Sequence, residues 1–284
     1  MPTTRAHFRH GEMVREKVKP EIREVIDKYP ELFHFGVHGP DLLFYYDALK
    51  KNPVNRMGGT LHDLAGSYFF NHAVTVLEDL QKENSGDYKP SLAYVYGALC
   101  HFTLDVCCHW YVQEKMDESG VSHTEIEAEM DREILVREGK DPIRAKVTEH
   151  LVPSGKNARV VSRFYEGLTQ EDIFKAMKDM VKWLDQLVMP SKVKRAVVFG
   201  LFRALGQYDD KKGLIINYER NEKCIDSTEK LIDLMEAAVD VAVDVINAFP
   251  EMDDFFRYNF ISIDPETQEI FTIQTAQEAS QADE

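Results

Sequence analysis

The sequence has no uninterrupted apolar run of the ~18 residues that a membrane-spanning helix requires, so no membrane span is expected. Cysteine is scarce. Cys100, Cys107, Cys108 and Cys224 are the only four, and they lack the CxxC spacing of a thiolate metal site. A chain of this length can build a core without disulfides, so reduced thiols in a cytoplasm are the expectation. The opening stretch MPTTRAHFRHGE has no apolar h-region, so no signal peptide is expected either. Positive charge is also short. Lys and Arg number 34 against 49 Asp and Glu, a formal net charge of −15. That balance disfavours a nucleic acid or an anionic membrane held by overall charge, and no nucleic-acid partner is expected. Strand signals are few, confined to weak alternation at 260–263 and 270–273.

Helical periodicity fills the rest. The pattern predicts helices at 8–18, 20–29, 41–50, 60–83, 90–117, 123–138, 141–150, 156–165, 170–188, 191–206 and 222–248. Pro20, Pro90 and Pro142 stand where a helix begins, because proline fits the first turn. Ser119-Gly120 ends one helix, and Ser122 with Glu125 spells a capping box for the next. The sequence therefore predicts an all-α fold with one multi-helix domain over 1–274. The polar, acidic end at 275–284 is expected to be disordered.

The chemistry concentrates in Cys100-His101-Phe102-Thr103-Leu104-Asp105-Val106-Cys107-Cys108-His109. His101, Asp105 and His109 fall at i, i+4 and i+8, and each step of four overshoots a full turn by about 40°, so all three share one face. Leu92, Tyr94, Val95, Leu99, Phe102, Leu104, Val106 and Trp110 make that helix apolar nearly all round, which marks it as buried. Three titratable groups on a buried face need partners, since an unpaired buried charge is costly. Metal ions would satisfy all three. The next helix carries His123 and Glu127 at i, i+4. An antiparallel pairing would bring them to His109, giving two imidazoles and a carboxylate, a common zinc set with an open position for water. Asp105 could bridge two ions, which an imidazole does not do. Upstream, His34-Phe35-Gly36-Val37-His38-Gly39-Pro40-Asp41, His62, His7, His10 and His72 offer further donors. Taken singly, His10, His34, His72 and His150 read as ordinary core or surface histidines.

This pattern resembles the zinc-dependent phospholipase C family, over about residues 5–130. The family shows an HxxxD helix, a histidine, and HxxxE fourteen residues later; the counterparts here are His101, Asp105, His109, His123 and Glu127. Gly36-Val37-His38-Gly39-Pro40-Asp41 is similar to the family's GxxxPD stretch, whose Asp lies at the reaction centre. His62 matches the histidine that follows it, and His7 the ligand near the N-terminus. The resemblance implies a fold of the phospholipase C/P1 nuclease type and two or three zinc ions on His7, His62, His101, Asp105, His109, His123 and Glu127. It also implies Asp41 as the catalytic residue acting on a phosphodiester substrate, with phospholipid as one candidate; peripheral membrane contact is a separate candidate, which the resemblance does not carry over because the toxins' lipid-binding β-domain has no counterpart here. Two features depart from the family. Three residues rather than five separate Asp105 from His109, and the chain opens Met-Pro-Thr rather than with the processed tryptophan that ligates metal in the secreted enzymes.

Other readings compete. His62-Asp63 is an HD dipeptide, as in HD-type phosphohydrolases, although HxxxDxxxH and HxxxE would then be left unexplained. A non-catalytic metal-binding helical protein is the other alternative. The basic, apolar stretch 192–203 is expected to pack on the core, with an interfacial membrane helix as the alternative. Phe33, Phe35, Phe44, Tyr45 and Tyr46 are expected to be core, with a lipid slot as theirs.

Overall fold

Proline and capping side chains set where half of the α-helices start. The computed structural model describes residues 4–275, with Asp210 described in its backbone only. Twelve α-helices occur among these residues: α1 (Thr4–Lys17), α2 (Pro20–Lys28), α3 (Pro30–Gly36), α4 (Pro53–Asp63), α5 (Gly66–Lys82), α6 (Tyr88–Ser119), α7 (His123–Arg137), α8 (Gly155–Val161), α9 (Gln170–Leu187), α10 (Lys192–Ala204), α11 (Tyr208–Lys211) and α12 (Ile225–Ala248). Proline opens α2, α3 and α4 at their first position. Asn52 and Thr169 close reciprocal capping boxes at the starts of α4 and α9, each satisfying amide groups that have no partner inside the helix. The chain is all-α; no regular strand occurs among the described residues.

The 32-residue α6 is the spine. It is long and apolar enough to cross a membrane, but it is buried inside the protein. Helices α1, α2, α3, α5, α7 and α12 pack around it. One apolar cluster surrounds its N-terminal half, through Tyr94, Leu99 and Phe102. A second, with Leu104, Cys107 and Val112, joins its C-terminal half to α7 and α12. The closest helix crossing is α3 on α6. A Cβ on Gly97 would lie 2.2 Å from the carbonyl oxygen of Phe33, and one on Gly36 would lie 2.2 Å from that of Tyr94. Glycine at both positions lets the two backbones meet, and this fixes the height at which the 36–41 segment faces His101. All four cysteines are buried and unpaired.

Several boundaries differ from the sequence reading. The expected 60–83 helix is two helices, α4 and α5, because the C-terminal segment intervenes: Ala65 bridges to Asn259, and the Gly66 amide donates to the carbonyl of Tyr258. The 41–50 helix is a 3₁₀ turn over Gly39–Tyr45, followed by turns in which Asp47 takes a positive φ. No helix forms at 141–150. The Asp141 side chain takes the Ile143 amide and holds a turn there. The helix α3 and the short helix α11 carry too few residues to show a period, and neither was anticipated. Ser122 caps α7 without a side-chain bond, since the Glu125 carboxylate is engaged by Lys212 and Asn221 instead. The alternation at the end of the chain gives only an isolated bridge, Ile263 to Ile270. Thr275 is buried, and the remainder of the tail, 276–284, lies outside the described residues. Phe33 and Phe35 are core, whereas Phe44, Tyr45 and Tyr46 are only partly covered. The 192–203 stretch does not pack on the core: Arg195 is the one buried residue of α10.

Candidate metal centre

Four segments converge on one face of α6. The turn after α6 returns His123 to His109, with ring centroids 5.3 Å apart. His7 of α1 lies against His101 at 4.4 Å. The 3₁₀ turn delivers Asp41, and α4 delivers His62. These side chains form three groups in which one donor atom from each residue lies within 4.8 Å of the others: Asp41, His62 and His101; His7, His101 and Asp105; His109, His123 and Glu127. The groups adjoin. His101 belongs to two of them, and Asp105 Oδ1 is 3.9 Å from His109 Nδ1. A cavity of about 20 Å³ touches His7, Asp105, His109 and Glu127, room for one ion or water.

The donor atoms themselves show whether zinc fits. His62 Nε2 and Asp41 Oδ1 are 2.9 Å apart, and His101 Nε2 and Asp105 Oδ2 are 3.3 Å apart. Yet all four atoms are buried without a hydrogen-bond partner, as is Glu127 Oε2. They are close but not aimed at one another. Buried polar atoms left unpaired cost free energy, and lone pairs converging on a shared point are what a cation requires. The set is imidazole and carboxylate without thiolate, the composition of open zinc sites rather than closed structural ones. The residues therefore fit zinc.

Backbone carbonyls orient two of the imidazoles. A carbonyl can only accept, so His62 Nδ1–H donates to Gly58 O at 2.7 Å and His109 Nδ1–H donates to Phe260 O. Each bond fixes the tautomer and turns Nε2 toward its group. Gly39 admits His101: it holds a φ of +45°, and a Cβ there would lie 2.4 Å from His101 Cδ2. Tyr165 donates to Gly39 O at 3.1 Å and bonds the Tyr94 hydroxyl at 2.7 Å, tying that turn to α6. Asp131, one turn beyond Glu127, accepts the Arg5 and Ala6 amides and so pins the start of α1 under His7.

Electrostatics divides the cluster. Burial pulls His101 down to about 4, against Asp105, so this imidazole is neutral and one of its ring nitrogens offers a lone pair. Burial works against ionisation of Asp105, but His101, His109 and His7 hold its carboxyl well below the usual range. Glu127 is likewise held low by His123 and His109 despite burial. For Asp41, burial is outweighed by His101 and His62. His109 is driven up to about 10; burial opposes this, and the Asp105 and Glu127 carboxylates prevail.

All eight residues singled out from the sequence (His7, Asp41, His62, His101, Asp105, His109, His123 and Glu127) thus occur in these groups. Asp63 does not: its side chain is exposed, which removes the HD reading. His34 pairs with Glu12 at 3.2 Å, and His72 meets the Arg163 carbonyl. His150 pairs with His38 through their Nε2 atoms at 2.8 Å. His10 is fully buried, with neither ring nitrogen hydrogen-bonded. The carbonyls of Gly58 and Phe260 escaped the sequence reading. The first had one available signal, a position four residues before His62 on the same helix; the second had none.

No curated protein and no solved structure gives a significant match to the chain. The family model described as zinc dependent phospholipase C matches residues 6–189. That span covers more than half of the chain and contains every residue of the three donor groups, and on that match the chain belongs to the zinc-dependent phospholipase C family.

Proposed function

We propose that the chain hydrolyses a phosphodiester, with a phospholipid as the substrate class, at the cluster formed by α1, the 39–45 turn, α4, α6 and α7. One observation carries this reading: buried carboxylate and imidazole donors from five segments stand within ligating distance of one another without hydrogen-bonding each other. His62 with His101, His7 with Asp105, and His109 with His123 and Glu127 would hold two or three zinc ions, with Asp41 beside the first pair. Zinc supplies Lewis acidity toward phosphate oxygens and brings the pKa of water from 15.7 to about 7.

The side chains do the rest. Asp41, held ionised, accepts a hydrogen bond from the attacking water and orients it in line with the scissile P–O bond. A bond forms from the water oxygen to phosphorus as Asp41 takes the water proton, the P–O bond to the leaving group breaks, and the leaving oxygen takes up a proton from solvent, so that for a phospholipid diacylglycerol departs. The Gly58 and Phe260 carbonyls keep His62 and His109 from rotating. The Phe44 ring, 5.2 Å from that of His62, gives the site an apolar wall. Four buried, unpaired thiols support a reducing, cytoplasmic setting, and a lipid substrate entails peripheral contact with a membrane.

Metal content by elemental analysis and hydrolysis of phosphatidylcholine and of a generic phosphodiester test the reading. Asp105→Ala is expected to lose both metal and activity. Asp41→Ala is expected to lose activity while keeping most of its metal. Full hydrolysis by metal-free Asp105→Ala would overturn the assignment.

A further inference from the structure

We propose that α10 is an interfacial helix that docks the protein on anionic lipid bilayers. The proposal deepens the lipid-substrate reading above but is tested without hydrolysis. Val193, Val197, Leu201 and Leu205 follow one another at four-residue intervals, and they are 77%, 68%, 56% and 61% exposed. Each interval advances the position about 40° around the helix, so the four form one continuous stripe. Ala196, Gly200 and Ala204, also exposed, widen it with small residues. Lys192 and Arg203 run along one edge of this face, and Lys194 lies at the other. Aliphatic side chains this exposed are ordinary singly, but four in register on one helix mark a contact surface.

Charge decides between the occupants. Helix α10 carries Lys192, Lys194, Arg195 and Arg203 and no acidic residue, in a chain whose net charge is −15. None of Lys192, Lys194 and Arg203 has a carboxylate partner among the described residues; Lys192 and Arg203 instead lie over the rings of Tyr218 and Tyr208. A second copy laid face to face would set cations against cations. An anionic bilayer receives the stripe between its headgroups and the ammonium and guanidinium groups among its phosphates. The placement suits the chemistry. The 208–218 segment that follows α10 packs on the first turn of α7, where Gly213 abuts the Thr124 and Glu125 backbone and Lys212 pairs with Glu125 at 3.1 Å. Adjacent His123 is the most exposed of the eight donor residues, at 35%, so α10 leads into the segment that packs beside the most open donor of the cluster.

Flotation of the full chain with vesicles of phosphatidylcholine alone, and of phosphatidylcholine with phosphatidylserine, is the test. Wild-type protein is expected to float with the serine-containing vesicles, and less so as salt is raised. Val197→Asp/Leu201→Asp is expected to reduce the bound fraction about tenfold, because a carboxylate is costly to carry into the membrane interface. Lys192→Glu/Lys194→Glu/Arg203→Glu is expected to abolish the dependence on phosphatidylserine. These side chains are exposed, so thermal melting and hydrolysis of a short-chain soluble substrate should stay at wild-type values. The proposal is overturned if wild-type protein stays unbound, if Val197→Asp/Leu201→Asp floats as wild type does, or if sedimentation shows a dimer that those substitutions dissociate while vesicles are ignored.

Discussion

Asp105 stands where the donor groups meet, within 3.3 Å of both His7 and His101 and 3.9 Å of His109. Its charge and that of Glu127 explain the state of His109, whose pKa is raised to about 10 against the pull of burial. The sign of the linkage follows. A histidine with a folded value above its unfolded one stabilises the metal-free fold fully below about 6.5, and this contribution fades as pH rises to about 10. Zinc needs the neutral ring, so binding must expel that proton. Calorimetry in buffers of different ionisation enthalpy is expected to show net proton release at pH 7. Zinc affinity should strengthen from pH 6 to pH 8 by up to about tenfold per unit for each proton released; a pH-independent affinity would contradict the assignment of His109 as a ligand. The residues in this argument were largely legible in the sequence, because spacings of four on an apolar helix map directly onto a face. His101, Asp105, His109, His123 and Glu127 were found in that way. His7, Asp41 and His62 lie on separate segments; the sequence offered them as upstream candidates, but only the family resemblance picked them out from His10, His34 and His72, since no local period links them. The carbonyl of Phe260 was illegible, because a backbone acceptor leaves no mark on residue type.

At the scale of elements, the site depends on where α3 crosses α6. Gly36 and Gly97 meet backbone to backbone, and Asp41 follows α3 by one tight turn. Gly97→Ala would place a methyl against the Phe33 carbonyl with no flexible atom to yield. A loss of at least about 3 kcal/mol is expected in chemical denaturation, the upper range for overpacking. Gly59→Ala is the control. A Cβ there meets nothing within 4 Å, and inside α4 it should stabilise by up to about 1 kcal/mol. Equal effects from the two would show that the crossing is not tight. Long helices with a sustained apolar period were legible, α6, α9 and α12 among them, and the opening proline marked α2. Those whose limits depend on remote segments were not. The break between α4 and α5 exists because residues 258–259 pair with the chain at 65–66, a contact invisible to any local window. The absent helix at 141–150 has a related cause: Asp141 turns the chain there, and His150 is drawn to His38.

Over the whole molecule, the cluster acts as a clasp. It joins α1, the 39–45 turn, α4, α6 and α7, and through Phe260 it reaches a segment beyond the 6–189 region that the family model covers. Without cations, Asp41, Asp105 and Glu127 are three buried carboxylates among imidazoles, in a chain that already carries a net charge of −15. Ions bound only to the folded state stabilise it by mass action, by about 2.7 kcal/mol per site when the free ion stands at a hundred times its dissociation constant. In a protein of this size each kcal/mol moves the midpoint by roughly 2–4 °C. Chelation is therefore expected to lower the melting temperature by about 5–10 °C if a single site dominates, and by more if several act together. Zinc returned in excess should restore it. Scanning calorimetry of holo, chelated and reconstituted protein, alongside Asp105→Ala, reads this directly. The variant lacks the carboxylate at which the groups adjoin, so its midpoint should respond far less to the chelator. An unchanged wild-type midpoint would mean that the five segments hold their places without metal, and that the unpaired donors are tolerated by the fold rather than satisfied by ions.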